Sequence, residues 1–529
     1  MIRALPLFAA LTILMTWPQA IHMASHGAEH QDVFFNMWRL SWIAHALSTS
    51  PSRLFDGNIF YPESGALTLS DAMLVEGLAG APLIWMGLPN MLVHNLLLLG
   101  AITASGAGMF VLARHLTGSR AAGVIAGIIF AYAPYRFEHY MHMELQWTVW
   151  MPWAFWALQR TCETGRWRFG ALAGLFVGLQ MASSIYYGLF LAMLQGLASL
   201  LSLITVPRER LIRTIASLAL GGVVAGVLVG TYAIPYLRTR ERVGVRSIEE
   251  TRMFSAKPRN YLVAPEGNFL YGGRRGQGER RLLPGLLAVV LALTGLLLRP
   301  PAKVQIVYVI ALVLAFEMSL GMYGYTYRFL YERAPPFQSL RAPARLGIFV
   351  VFFLAALAAY GYAALEAAAR PVVRRVMPVA FAGVLILEYW TVPLTLTRYD
   401  NDPPPLYAWL AQQPRGIVAE FPMPAPNGLP HEEPRYAYMS TFHWMPTVNG
   451  YSGYVPPGYL RGLEAMKHFP SDASVMRLRR EGVRYVIVHD YPADRDAYAR
   501  TLYTLTSHGL SHLGSFSDGR VAASVFALR

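Results

Sequence analysis

Residues 4–39, ALPLFAALTILMTWPQAIHMASHGAEHQDVFFNMWR, decide how the rest of the chain is read. The part from Ala4 to His22 is mostly apolar and reads as a first membrane span. Asp32 stands just beyond it, ahead of the aromatic, amphipathic run Val33-Phe34-Phe35-Asn36-Met37-Trp38-Arg39. A carboxylate at that place has little use in folding. It fits chemistry done at a membrane surface.

The composition agrees. Of 529 residues, 54% are hydrophobic and only 14% charged, with a mean hydropathy of +0.35. Soluble proteins carry about 25% charged residues, so the chain reads as an integral membrane protein. The net charge of +14 does not point to nucleic acid. Short cytoplasmic loops collect Lys and Arg, and aromatics gather at membrane interfaces. The single cysteine, Cys162, excludes an intramolecular disulfide and a multi-cysteine metal site, and it reads as inert. Arg3 precedes the first apolar run, but residues 19–24 make a weak cleavage site, so the segment reads as an uncleaved anchor.

Eleven apolar segments read as spans: 4–22, 91–113, 119–134, 145–159, 167–184, 188–206, 214–236, 282–298, 304–320, 345–367 and 376–396. Basic residues mark alternate connections: Arg114, His115 and Arg120; Arg160, Arg166 and Arg168; Arg208, Arg210 and Arg213; Arg299 with Lys303; Arg370, Arg374 and Arg375. These connections are placed in the cytoplasm by their charge. The N-terminus is then inside and the C-terminus outside. Segment 71–88 is broken by Glu76, Gly77, Gly80 and Pro82. It reads as interfacial or re-entrant, because a full span there would force the N-terminus outside. The other face receives the long loops 23–90, 238–281 and 321–344, the short connection 135–144 and the tail. The expected fold is thus a polytopic α-helical membrane protein of about eleven spans with a small extracytoplasmic α/β domain. Its expected domains are 1–397 and 398–529.

In the tail, the linker Asp400-Asn401-Asp402-Pro403-Pro404-Pro405 precedes strands at 416–421, 483–489 and 522–528, which are short β-branched or aromatic runs. Helices are expected at 459–468 and 474–481. The loop Asn449-Gly450-Tyr451-Ser452-Gly453-Tyr454 suits sugar recognition or a plain turn packed on the membrane domain. No dinucleotide, P-loop or serine-hydrolase motif is present in the tail.

Four places could carry chemistry. Asp32 reads as a general base or as the N-cap of a helix over 33–47. Asp71 opens the interfacial element, as site residue or cap; Asp56 and Glu63 in the same loop read as turn formers. In Tyr135-Arg136-Phe137-Glu138-His139-Tyr140-Met141-His142-Met143-Glu144, ionisable groups crowd one connection, which marks a site or an interfacial anchor. Arg136 is a candidate for phosphate, and Glu138, His139 and His142 share one helical face. In Gln338-Ser339-Leu340-Arg341-Ala342-Pro343-Ala344-Arg345, two arginines lie outside, against the usual charge bias. Their planar forks suit phosphate, while snorkelling to lipid headgroups is the alternative. Arg259, Tyr261 and the run Gly272-Gly273-Arg274-Arg275 are weaker outside candidates. His22, His26 and His30, four apart and followed by Asp32, make a divalent metal possible, though no HExxH motif is present and Gly27 interrupts a helix. No cofactor is otherwise indicated.

This arrangement resembles the GT-C superfamily of membrane glycosyltransferases. The likeness rests on Asp32 in the first external loop, the interfacial element after it, the span count and the external tail. Segments 32–42 and 134–152, with Arg341 and Arg345, resemble bacterial members. The resemblance implies transfer of a sugar from a polyprenyl-phosphate carrier to an acceptor on the non-cytoplasmic face. It implies a first-loop acid acting as base or metal ligand. No Asp-x-Asp pair stands in the first loop, which favours the base. Beyond the family motif, Arg341, Arg345 and Arg136 are read as neutralising the leaving phosphate. Glu138, His139 or Asp71 are read as orienting the sugar. The implied partners are a lipid-linked donor, membrane lipids and an acceptor. The competing reading is a transporter or scaffold for cell-surface polymer. Transporters show repeated halves and mid-membrane sites; here no repeat is visible and the ionisable residues gather outside.

Overall fold

Each of the eleven apolar segments contains a helix in the computed structural model, which describes residues 4–273, 278–298, 300–426, 428–492 and 495–528. Arg3, Arg274, Arg275 and Arg299 lie outside the described residues. Among those described, Asn90–Thr117, Ile185–Thr205, Arg208–Val243 and Pro343–Ala368 are long and apolar enough to cross a membrane. The chain divides into two compact units.

The first unit comprises Met1–His22, Asn95–Ala233 and Val245–Thr395. Lipid tails are as apolar as the helices, so close backbone approach through small residues has to hold such a bundle. The glycines do this. A Cβ on Gly361 would stand 1.8 Å from Leu291 O, and one on Gly174 would stand 2.0 Å from Gly221 O. Gly106 and Gly127 make room for the ring of Phe8, which is fully buried. Nearby, the hydroxyls of Thr12 and Tyr132 lie 3.0 Å apart.

The second unit comprises Met23–His94, Ile234–Gly244 and Leu396–Arg529. The tail and the first loop therefore fold together. Strand β1 (His26–Ala28) pairs antiparallel with β2 (Leu396–Arg398). The main sheet is built from β3 (Ile417–Phe421), β4 (Val483–His489), β5 (Ser511–Ser517) and β6 (Ala522–Ala527), in the order β3-β4-β6-β5. Only β3 and β4 are parallel. Val486, Phe421, Phe526, Leu478 and Leu505 form its core with helices Asp472–Arg480 and Arg495–Ser507. The expected strands match β3, β4 and β6, and the expected helices match Pro457–Met466 and Asp472–Arg480.

The first loop joins the tail through backbone groups. Phe60 N donates to Asn449 O (2.9 Å), Tyr61 N to Thr447 O (2.9 Å) and Tyr454 N to Leu69 O (2.8 Å). Segment 71–88 holds one helix, Leu74–Trp85. It buries Glu76, Gly77, Gly80 and Ala81 and exposes Leu78, Trp85 and Met86, an apolar outer face with a small and acidic inner one.

Candidate active site

Asp32 lies in the first turn of the helix Gln31–Thr49, but it does not cap it. His30 is the N-cap: its Nδ1 accepts from Asp32 N at 3.1 Å. That bond makes Nδ1 an acceptor, so the 3.6 Å approach of Nδ1 to Asp32 Oδ2 is not an ion pair through that nitrogen. The Asp32 side chain is thereby spared for other work, at a helix end that favours negative charge. Its Oδ1 accepts from the Tyr451 hydroxyl at 2.6 Å. One turn on, Phe35 meets the Tyr451 ring edge-on at 5.2 Å and stacks on Trp38 at 5.5 Å.

Arg39, on the same helix, lies 4.5 Å from the Phe35 ring centre. It is buried, bonds Asn36, and donates to Asp71 O at 2.7 Å. Asp32 and Asp71 thus belong to one unit, linked through the helix face Phe35–Arg39.

The loop carrying Tyr451 is held from beneath. Glu433 accepts from Asn449 Nδ2 (2.9 Å) and Gly450 N (2.7 Å). Asn449 also clasps the backbone of β3, taking Glu420 N (2.7 Å) and giving to Glu420 O (2.9 Å). Burial pushes the Glu433 carboxyl up to about 8, against the lowering effect of the Asn449 and Gly450 hydrogen bonds. A raised folded-state value means this stabilisation is full below the ordinary 4.5 and is lost as pH rises from there through about 8. Glu433→Gln is expected to remove that decline, while costing stability at every pH through one lost acceptor. Apparent unfolding midpoints across a pH series check this; parallel slopes in the two proteins would contradict it.

A second cluster lies in the first unit, around Pro134–Glu138 and Met143–Gln146. Glu138 pairs with Arg281 at 3.1 Å, and burial raises its carboxyl despite that partner. Arg345 grips Glu279 with two nitrogens, at 2.6 and 3.2 Å, and lies 4.6 Å from the Tyr186 ring centre. Burial alone would raise Glu279; Arg345 and His139 outweigh it and hold the carboxyl well below its usual range. His139 is buried, neither ring nitrogen makes a hydrogen bond, and Nε2 stands 3.9 Å from Glu279. Burial lowers its ring to about 3, so it is neutral. The His142 ring lies 5.5 Å from that of His139.

The structure therefore brings Glu138, His139, His142 and Arg345 together, and adds Glu279 and Arg281. The only signal of those two in the sequence is Gly278-Glu279-Arg280-Arg281, a lone acid within a basic run. Arg341 approaches Glu250 at 3.7 Å instead, and its backbone N donates to the Tyr186 hydroxyl at 2.9 Å. Arg136 is spent on the fold. Its guanidinium donates to Phe130 O (2.9 Å), Gln146 O (3.1 Å), Gln146 Oε1 (3.0 Å) and Thr148 Oγ1. Tied to four acceptors and buried, it is a clamp on the connection rather than an open phosphate contact.

A metal fits poorly. Among the described residues no three His, Cys, Asp or Glu side chains converge to hold an ion. His26 lies in a strand, so the four-residue spacing does not place the histidines on one helix face.

The sequence matches no family model and no curated protein. Solved structures do match its fold. The arabinofuranosyltransferase AftD from Mycobacteria superposes with a TM-score of 0.67 at 17% identity, over 99% of this chain and 40% of AftD. ArnT from Cupriavidus metallidurans, solved with bound undecaprenyl phosphate, superposes with a TM-score of 0.51 at 12% identity, over 99% of this chain and 97% of ArnT. The chain spans about two fifths of the length of AftD. The architecture is that of a membrane glycosyltransferase. More narrowly, the chain has the GT-C fold.

Proposed function

We propose that the chain moves a sugar from a polyprenyl-phosphate carrier to an acceptor on the non-cytoplasmic face of a cell membrane. The observation that carries the reading is Asp32: a first-loop carboxylate, freed from capping by His30 and held by Tyr451. The GT-C fold and the undecaprenyl phosphate bound to ArnT support a carrier of that class.

In this reading Asp32 takes the proton from an acceptor hydroxyl. The acceptor oxygen attacks the anomeric carbon, and the carbon–oxygen bond to the phosphate breaks. The lipid phosphate leaves with the electron pair. Arg345, with Arg341 as second cation, neutralises it, a form of electrostatic help of large expected effect. Neutral His139 donates a hydrogen bond, and Glu138, His142 and Asp71 orient the sugar. The frame is eleven spans, an N-terminus in the cytoplasm, a membrane domain over 1–397 and an extracytoplasmic domain over 398–529.

Purified full-length protein in lipid nanodiscs tests the reading. Lipid mass spectrometry is expected to find a co-purified polyprenyl-phosphate sugar, which disappears when a cell-envelope fraction is added. Carrier held but never consumed would favour a non-catalytic scaffold, and absence of any carrier would remove the donor class.

A further inference from the structure

Two interactions around Asp32 share one property: the group that touches its carboxylate comes from the far end of the chain. Tyr451 is 419 residues away, and its place is set by the tail. Asn449 and Gly450 are fastened to Glu433 and to β3 by the bonds given above. Gly450 leaves no room to shift, since a Cβ there would stand 2.5 Å from Phe60. The phenol is therefore presented to Asp32 by a rigid support.

At 2.6 Å the contact has the length of a charge-assisted O–H···O⁻ bond. A donor fixed in this way favours the ionised carboxylate and holds its orientation, where a water molecule would have to be reordered each time.

We propose that Tyr451 is a positioning residue for the transfer reaction, setting the orientation and the basicity of Asp32. The proposal rests on the reading of Asp32 as the base. Other titratable or charged groups near Asp32 are His30, Glu29, Tyr399 and Arg520. Tyr399 gives its hydroxyl to Ala28 O (2.6 Å) and His30 O (3.0 Å), and Arg520 lies 5.5 Å from the Phe34 ring centre. None of the contacts described for Tyr399 or Arg520 is to the Asp32 carboxylate itself, so removing the Tyr451 hydroxyl isolates one interaction.

The test is carbodiimide labelling of Asp32 in the full-length protein in nanodiscs, followed by peptide mass spectrometry across a pH series. Only the protonated carboxyl reacts. In Tyr451→Phe the ring and its packing on Phe35 stay, and the half-labelling pH is expected to rise by about one unit, equivalent to about 1.4 kcal/mol. With 3-fluorotyrosine at position 451 the phenol is a stronger donor, and the midpoint is expected to fall. Tyr503→Phe, a change on an exposed residue, is expected to leave it unmoved. In turnover, Tyr451→Phe is expected to move the acid limb the same way and lower kcat with KM unchanged.

Midpoints unchanged in both Tyr451 proteins would overturn the proposal, as a purely structural tyrosine would reduce the yield of folded protein and leave them in place. Should Tyr451→Phe fail to fold, the fluorotyrosine protein decides alone. An active Asp32→Asn protein would instead overturn the base reading, so the two failures are told apart.

Discussion

Asp32→Asn protein is expected to fold and to retain its carrier, yet lose transfer by a factor of roughly 10²–10⁴, the usual contribution of a positioned general base. The amide matches the carboxylate in shape. Its Oδ1 still accepts from Tyr451, and the helix start still relies on His30 and the Asp32 backbone N–H rather than on the side chain. What disappears is the capacity to take a proton. The loss should therefore fall on kcat, with unfolding midpoint and carrier content at wild-type values. Turnover at the wild-type rate would sink the assignment of Asp32.

The second large effect is on stability. Arg435→Met is expected to destabilise the protein by about 3–5 kcal/mol, the range for breaking a buried ion pair from one side. Arg435 and Asp518 are almost wholly buried and lie 3.0 Å apart. His489, from the end of β4, bridges Asp518 (2.8 Å) and Glu420 (3.0 Å). Burial lowers the His489 ring, but hydrogen bonds to the two carboxylates raise it above its ordinary value. With His489 protonated, two cations face two carboxylates, and loss of Arg435 leaves an uncompensated charge in the interior. Chemical unfolding followed by tryptophan fluorescence measures the loss. Adding Asp518→Leu should recover part of it, because the stranded carboxylate is then gone; a single variant as stable as the parent would show that the pair contributes nothing.

The spans were legible because a run of apolar residues near bilayer length has few other uses. Strand β4 was legible for a similar reason, as Val483–His489 is β-branched and apolar on both faces. Strand β5 was not, because Ser511-His512-Leu513-Gly514-Ser515-Phe516-Ser517 carries polar residues and a glycine and sits at the sheet edge. Asp32 was found from its position alone, but its expected second role as cap went to His30. Aspartate is the commoner cap, and a histidine serves only through an unprotonated ring nitrogen. Glu279 and Arg281 stayed hidden because their partners, Arg345 and Glu138, are distant in sequence. The joining of first loop and tail was hidden as well. It runs through backbone N–H and C=O groups at Phe60, Tyr61 and Asn449, which every residue possesses.

That joining bears on how the protein is made. Asp32 leaves the ribosome early, whereas Tyr451, Glu433 and the strands behind them are synthesised hundreds of residues later. Through most of its biosynthesis the chain carries the carboxylate without the phenol that holds it. A truncated product ending before residue 449 would contain every membrane helix and still have an unfinished centre.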